Sequence, residues 1–431
     1  MSETTTLRPG YEKPEDRSFP QDWKVSRLYE ACIFHQGGKL GITKSAGYVA
    51  SGVPAYSAAG QDGYVGQVEF SNTDGVVLSA IGANCGRCFF ASGNWTTLAN
   101  VQAIIPSPSQ LDAKYLYYRV NRESYWPRSG SAQPFIKPSD VRNCWVAHPP
   151  IDQQKLIARI LDTLDTQIQK TEALIAKLEK VKEGLLHDLL TRGIDENGQL
   201  RPSPEQAPEL YKDSPLGLIP RGAEAVTLAE LVTWSSGGTP SRAVKTNWLG
   251  TVPLLTPKDM KCFELHDTSE HVSETAAATE SKVMVANTVF VVVRGMILAH
   301  SFPVILARRE MAFNQDIKGA ATGTRLDEVF FAHWLSANKH HFLKKVTEST
   351  HGTKKLDMEA LNAGLMLLPQ LDEQSAIVSH IQAFDQRIAG ERDILSKLTT
   401  KKAGLMDDLL TGRVRVTPLL DQAQAQGTTP A

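Results

Sequence analysis

Cysteine is scarce, with five residues in a chain of 431. An odd number in so long a chain points to reduced thiols and against a disulfide frame. Cys85 and Cys88 in CGRC have the spacing of a redox or zinc pair. A zinc site needs two more ligands, and none follows nearby. A redox pair opens a helix after a strand, whereas FFASGNW continues as strand and turn. The neighbouring His340 and His341 are too few for a metal site. Long apolar runs are also missing, so no membrane span is expected. The polar start MSETTTLRPGYEKPEDRS lacks an apolar signal core, and the chain is expected to be cytoplasmic.

Charge of one sign is missing too. Lys and Arg number 46 against 47 Asp and Glu, a formal net charge of −1. Bulk charge therefore does not advertise nucleic-acid binding, and any such reading rests on local patches. There is no phosphate-cradling GxxxxGK[ST] and no glycine-rich cofactor fingerprint after a strand. The Asn/Asp-Pro-Pro-aromatic tetrapeptide of amino-methyltransferases is absent as well. The chain is expected to catalyse nothing and to bind no cofactor or metal of its own.

What is present is a repeat. GLLHDLLTRG begins at Gly184 and GLMDDLLTGR at Gly404. Residues 151–191 and 371–411 align without a gap, with 14 identical pairs in 41 positions, among them Asp152/Asp372, Gln154/Gln374 and Asp165/Asp385. Each copy carries apolar residues at alternating steps of four and three, the pattern of a coiled-coil seam. The first seam is Ile157, Leu161, Leu164, Ile168, Ile175, Leu178, Leu185 and Leu189. The second is Ile377, Ile381, Phe384, Ile388, Leu395, Leu398, Leu405 and Leu409. Polar residues interrupt both seams at the same places, Thr171 with Glu391 and Lys182 with Lys402, which fixes register at some cost in stability. Pro149 and Pro369 precede the helices, and Gly193 and Gly412 follow as C-caps. A helix of 41 residues at ~1.5 Å rise is about 60 Å long, so the pair has the dimensions of a rigid spacer.

The duplication extends to what lies before each helix. A shift of 200 aligns Phe19/Ile219, Pro20/Pro220 and Leu28/Leu228. Short β-rich runs (GVVLSAIG, VQAIIP, VFVVVRGMIL) alternate with turn residues, and helical pieces come late in each stretch. The expected class is α+β. Two related mixed α/β domains are joined by two long antiparallel coiled-coil helices in a pseudo-twofold internal repeat. The expected boundaries are an N-terminal tail 1–18, domain 19–148, helix 149–193, a proline-rich linker 194–218, domain 219–368, helix 369–413 and a disordered tail 414–431.

This order of domain and long helix carries FPQDWKVSRL, IPRGAEAVTL, SGGTPSR, VPLLTPKDM, VVVRGMILAHSFPV, FNQDIKG, RSGSAQPFIKPSDV, PPIDQQ and LPQLDEQ. Together they resemble the specificity subunit of type I restriction–modification enzymes over nearly the whole chain. The second copy departs at Ala223, where an aromatic like Trp23 is usual at the domain entry, and at Gln370 of the helix start, where a second proline is common. The resemblance implies that each domain is a target-recognition domain reading one half of a bipartite, asymmetric sequence in double-stranded DNA. It implies that the helices set the gap and dock two methyltransferase subunits, with restriction/translocase subunits joining the complex. S-adenosylmethionine, ATP and magnesium would then sit on those partners. At ~3.4 Å per base pair, a ~60 Å spacer keeps the two contact regions within about 18 base pairs. Two other readings remain. A related system fuses methylase and nuclease in one partner, and a coiled-coil scaffold would use duplicated domains to bind proteins or glycans.

DNA contacts are sought in basic loops. Residues 19–148 hold 11 Lys and Arg against 8 Asp and Glu. The loop RSGSAQPFIK offers Arg128, Ser129, Ser131, Gln133 and Lys137. The stretch KHHFLKKVTESTHGTKK offers Lys344, Lys345, Thr353, Lys354 and Lys355. Thr239, Ser241 and Arg242 of SGGTPSR, with Lys258, form a third group. Lys and Arg suit phosphates, while Arg, Lys, Asn and Gln read base edges. The tyrosines around Arg119 and Arg122 have core spacing, and Arg294 and Asn314–Gln315 are expected to be structural.

Overall fold

The computed structural model describes residues 9–14, 19–43, 47–130, 132–348 and 352–425. The chain forms two compact units. One comprises residues up to Ala173 together with those from Arg392 onward, and the other is Leu174–Glu391. The two long helices, Ile151–Thr191 and Leu371–Thr411, are 41 residues each and contribute to both units.

In the first unit, Lys24–Arg27 pairs antiparallel with Trp145–His148, joining the start of the domain to the strand that leads into the first long helix. The central sheet has the order Cys32–Gln36, Val101–Pro106, Gly75–Ser79, Cys88–Ala91, all neighbours antiparallel. GVVLS at 75–79 is buried at every position, so both faces of this strand are covered and the apolar run is continuous. A second four-stranded sheet holds Tyr48–Val49, Gly60–Val65, Val53–Ser57 and Thr96–Thr97. Leu28, Tyr115, Leu116, Tyr125 and Trp126 form the core with Ile157 and Leu161 of the first long helix and Leu409 and Leu410 of the second.

The second unit repeats this plan. Glu224–Thr227 pairs with Leu365–Leu368. A five-stranded sheet has the order Val232–Ser236, Ile317–Thr322, Val289–Val292, Val304–Ala307, Glu264–Leu265. A four-stranded sheet holds His271–Val272, Val252–Leu255, Met311–Phe313 and Val283–Met284. Here Leu189 and Leu190, ending the first long helix, share the core with Ile377 and Ile381, near the start of the second. The repeated DLL of GLLHDLL and GLMDDLL is thus explained: each long helix ends by burying two leucines in the domain of the other repeat.

A buried glutamine joins domain and helix in each unit. Gln154 is 0% exposed; its Oε1 accepts from Asp112 N–H (2.8 Å), and its amide donates to the carbonyls of Gln110 (3.0 Å) and Pro149 (2.8 Å). Gln374, also 0% exposed, accepts from Asp327 N–H (2.9 Å) and donates to the carbonyls of Arg325 (2.9 Å) and Pro369 (2.8 Å). Asp112 and Asp327 in turn cap the helices Ala113–Val120 and Glu328–Ala337, accepting from Tyr115 N–H and Phe330 N–H at 2.8 Å each. A buried side-chain amide with both ends satisfied sets a fixed geometry, because any other orientation strands backbone groups without partners.

Every predicted seam residue is buried or half-buried. Ile157, Leu161, Leu164, Ile175, Leu178, Leu189, Ile377, Ile381, Ile388 and Leu409 are buried, and Ile168, Leu185, Phe384, Leu395, Leu398 and Leu405 half-buried. The interrupting lysines bridge the helices: Lys402 to Asp165 in the first unit, Lys182 to Asp385 in the second. Gly193 (φ +65°) and Gly412 (φ +74°) take the left-handed conformation at the helix ends, which admits glycine without strain.

Two boundary expectations need correction. The stretch 194–218 is not a bare linker. Tyr211–Ser214 and Gly217–Pro220 form a hairpin, Ile194 and Tyr211 are buried, and Arg201 makes an ion pair with Glu373, with Nη2 to Oε2 at 2.8 Å. The tail is not structureless where it is described: Thr417–Ala425 is a helix, and Val416 is buried in the first unit's core. Its low content of large apolar residues concealed the one buried valine that anchors it. Of the N-terminal tail, residues 9–14 are described, and Gly10 N–H donates to Tyr125 O (2.9 Å).

Candidate nucleic-acid interface

The two basic loops sought in the sequence lie at one end of each central sheet. In the first unit the chain leaves Gly75–Ser79 and meets the loop 127–137. Ile136 N–H donates to Ala80 O and Gly82 N–H to Pro134 O, both at 2.9 Å. Ile81 bridges to Phe135, and Ser129 and Phe135 exchange both backbone bonds. In the second unit Leu356 N–H donates to Val293 O (2.9 Å) and Gly295 N–H to Lys354 O (3.0 Å). Arg294 bridges to Lys355, and Thr347–Glu348 pairs with Lys354–Lys355. RSGSAQPFIK and the stretch ending in THGTKK are therefore the same hairpin in the two repeats. Gly130 (φ +83°) and Gly352 (φ +79°) take the left-handed conformation there, which glycine adopts without strain.

Strand register aligns the floor of the two faces. Gln36 pairs with Gln102 in the first unit, and Ser236 with Lys318 in the second. Leu78 lies opposite Gln102, and Val291 opposite Lys318. In the first unit a cleft of about 360 Å³ is lined by Gln36, Ile81, Gln102, Gln133, Phe135 and Lys137, among others. Gln36, Gln133, Phe135 and Lys137 are exposed; Gln102 is buried at its floor. In the second unit Lys318 Nζ donates to Ser236 Oγ, and its pKa is held below the usual lysine value by burial and by the nearby Arg294 charge. Thr239 Oγ1 donates to Gln315 Oε1 (2.8 Å) at the same strand end.

Several candidates are brought together and others are not. Arg128 is ion-paired with Glu123 (2.7 Å) beside the first hairpin. Ser131 lies outside the described residues. Lys354 pairs with Glu348 (2.6 Å) and Lys355 with Asp357 (2.6 Å). The bond to Lys354 holds the Glu348 carboxyl below its ordinary pKa. Lys344 is exposed and Lys345 and Thr353 half-buried along the second hairpin. Arg242 is committed elsewhere, forked onto Glu270 (2.7 and 2.9 Å) and stacked over Trp248 at 3.9 Å. Ser241 N–H donates to Glu280 (2.7 Å), and Lys258 is exposed on the turn after Val252–Leu255.

Arg294 and Gln315, expected to be structural, are exposed at the strand ends, and Asn314 is buried and accepts from Asp316 N–H (3.1 Å). Gln36, Gln102 and Lys318 were not among the residues sought and lie on the same faces. They lie inside β-patterned runs, and only strand register shows that they share an end with the basic loops. The aromatic stretch belongs to the core, with Tyr115, Tyr118, Tyr125, Trp126 and Arg119 at most 3% exposed. Burial pushes both CGRC thiols up in pKa, which suppresses thiolate chemistry. Among the described residues no group of three or more metal-ligating side chains occurs, and no helix is long and apolar enough to cross a membrane.

Comparison with known proteins gives this duplicated geometry a family. The model of the type I restriction modification DNA specificity domain matches residues 20–180 and again 220–400. The chain belongs to this family. Over 431 aligned residues it is 23% identical to the type I restriction enzyme MjaVIII specificity subunit of Methanocaldococcus jannaschii, covering 92% of this chain and 94% of that protein. It is 27% identical over 177 residues to the EcoR124I/EcoR124II specificity subunit of Escherichia coli, covering 41% and 44%. The fold is similar to that of a type I restriction–modification S subunit from M. genitalium, with a TM-score of 0.56 at 14% identity, covering 93% of this chain and 98% of that one. The type I DNA specificity domain is thus present twice, and its task is recognition of DNA sequence, not catalysis.

Proposed function

We propose that the strand-end face of each specificity domain reads one half of a bipartite, asymmetric DNA site. In this reading the target-recognition domains are 19–148 and 219–368. The helices run antiparallel as a coiled coil that sets the gap, and the assembly docks two methyltransferase subunits. The observation that carries this is the duplication itself. The same hairpin stands at the same sheet end in both units, on a domain tied to a long helix by the same buried glutamine. Two like faces of different sequence suit two different half-sites. Lys344, Lys345, Lys354, Arg128 and Lys137 would supply salt-dependent phosphate contacts. Ser129, Gln133, Thr239 and Thr353 lie where base edges or sugars would be met.

Methyl transfer and cleavage would be supplied by partners carrying S-adenosylmethionine, and ATP with magnesium. A groove of about 850 Å³ in the second unit, walled by His187, Leu216, Leu218, Trp334 and His340, is a surface suited to a partner protein. The test is an exchange of residues 19–148 for another specificity domain in the complete complex, followed by mapping of the methylated bases. One half-site should change and the other persist; a change in both halves would defeat the modular reading.

A further inference from the structure

Strand register and the hairpin bonds make four positions equivalent between the two faces. Gln36 corresponds to Ser236, Gln102 to Lys318, Ile81 to Arg294 and Phe135 to Lys355. The first face is therefore neutral at all four, with two glutamines beside an isoleucine and a 37% exposed phenylalanine. The second carries three cations and a serine. Gln133 and Gln315 add an exposed amide to each side. The major groove distinguishes such sets. A glutamine amide matches adenine N6 and N7, and apolar side chains meet the thymine methyl. Lysine and arginine match guanine O6 and N7.

We propose that these register-equivalent residues determine specificity, the first domain reading an A·T-weighted half-site through Gln36, Gln133, Ile81 and Phe135, and the second a half-site with G·C pairs read by Lys318 and Arg294. This rests on the strand-end faces being the DNA-facing ones. Lys318 is suited to base reading more than to phosphate steering. It is half-buried on the sheet floor, and its ammonium is already oriented by Ser236 Oγ. Lys355 is partly neutralised by Asp357 and contributes least.

The test uses the full chain assembled with its methyltransferase partner and a duplex library with two randomised half-sites at variable spacing. Wild-type protein should select one A·T-weighted half and one containing G·C. Lys318→Gln and Arg294→Ile, which copy the first face onto the second, should each lower the preference for G·C at one position of the second half. A loss of roughly tenfold is expected, with the first half unchanged. Gln36→Ala should relax the first half alone. Thermal unfolding of each variant separates a folding defect from altered reading, and Lys318→Met gives a second, better-packed replacement. Two halves of like composition would overturn the proposal. So would variants that weaken all sequences equally and lessen the salt dependence, the mark of phosphate contacts. Selection of no split sequence would overturn the half-site reading as well.

Discussion

At equivalent places in the two units, six residues after the capping aspartate, stand Tyr118 and His333. Tyr118 donates to Asp165 (2.7 Å), and Asp165 also takes Lys402 from the other helix. His333 instead stacks on Phe263 (centroids 4.4 Å apart) and faces the Lys182–Asp385 pair, with Glu264 and Arg308 also nearby. The carboxylate–ammonium bridge between helices is kept in both copies, while the domain's own contribution has diverged. One copy has a hydroxyl that hydrogen-bonds to the bridge. The other has an imidazole that stays neutral because burial and the Lys182 charge lower its pKa from the ordinary 6.5 to about 4. The parts that join helix to domain are repeated closely, then, and the parts around them are free to vary.

That comparison breaks at several points, beginning with the helix ends. Leu410→Ala in the first unit removes a side chain that is 0% exposed, and Leu190→Ala in the second one that is 5% exposed. Each should cost about 3 kcal/mol in urea unfolding. If one is silent, the two helix ends do not play the same part. Gln154→Leu and Gln374→Leu strand one backbone N–H and two carbonyls each, and should cost about 2 kcal/mol apiece. A loss below about 0.5 kcal/mol at either site would show that the shared bonding pattern is idle there.

The bridges should rank differently. Asp165→Asn, whose side chain is 23% exposed, is expected to cost about 1 kcal/mol, and Asp385→Asn, 46% exposed, a few tenths. Equal losses would mean that the deeper burial of Asp165 adds nothing to its bridge. The last variant, His333→Tyr, copies the first unit into the second. Its signature is in pH. Between 6.5 and about 4 the unfolded chain takes up a proton that folded His333 refuses. The stability contributed by neutral His333 is therefore complete above pH 6.5 and is lost as pH falls through that window. The variant should lose this slope when melting temperature is followed against pH, and a persisting slope would assign it to other groups.

Much of this was legible beforehand. The two long helices followed from spacing, because an apolar stripe repeats every three to four residues over 41 positions and needs no tertiary information. The basic hairpins were visible as loops, since glycine, serine and lysine cannot sustain a strand core. Their equivalence was not, because RSGSAQPFIK and THGTKK share only the backbone bonds to Ala80, Gly82, Val293 and Gly295. Gln154 and Gln374 were seen as an identical pair, but their partners lie 42 and 47 residues away in Asp112 and Asp327, which no local pattern connects. The ordered stretch 194–218 was missed because its stabilising contact, Arg201 to Glu373, spans 172 residues.

Local periodicity and repetition, read along the chain, pointed to two related units and two long helices, because those features are written in residues near one another; the recognition role was implied by the resemblance of the motifs to type I specificity subunits. Folding decided which side chains share the strand-end faces, which cations are already neutralised, and which repeat receives each helix end. These depend on register between distant strands and on burial, and both come into being only when segments far apart in sequence exclude water together.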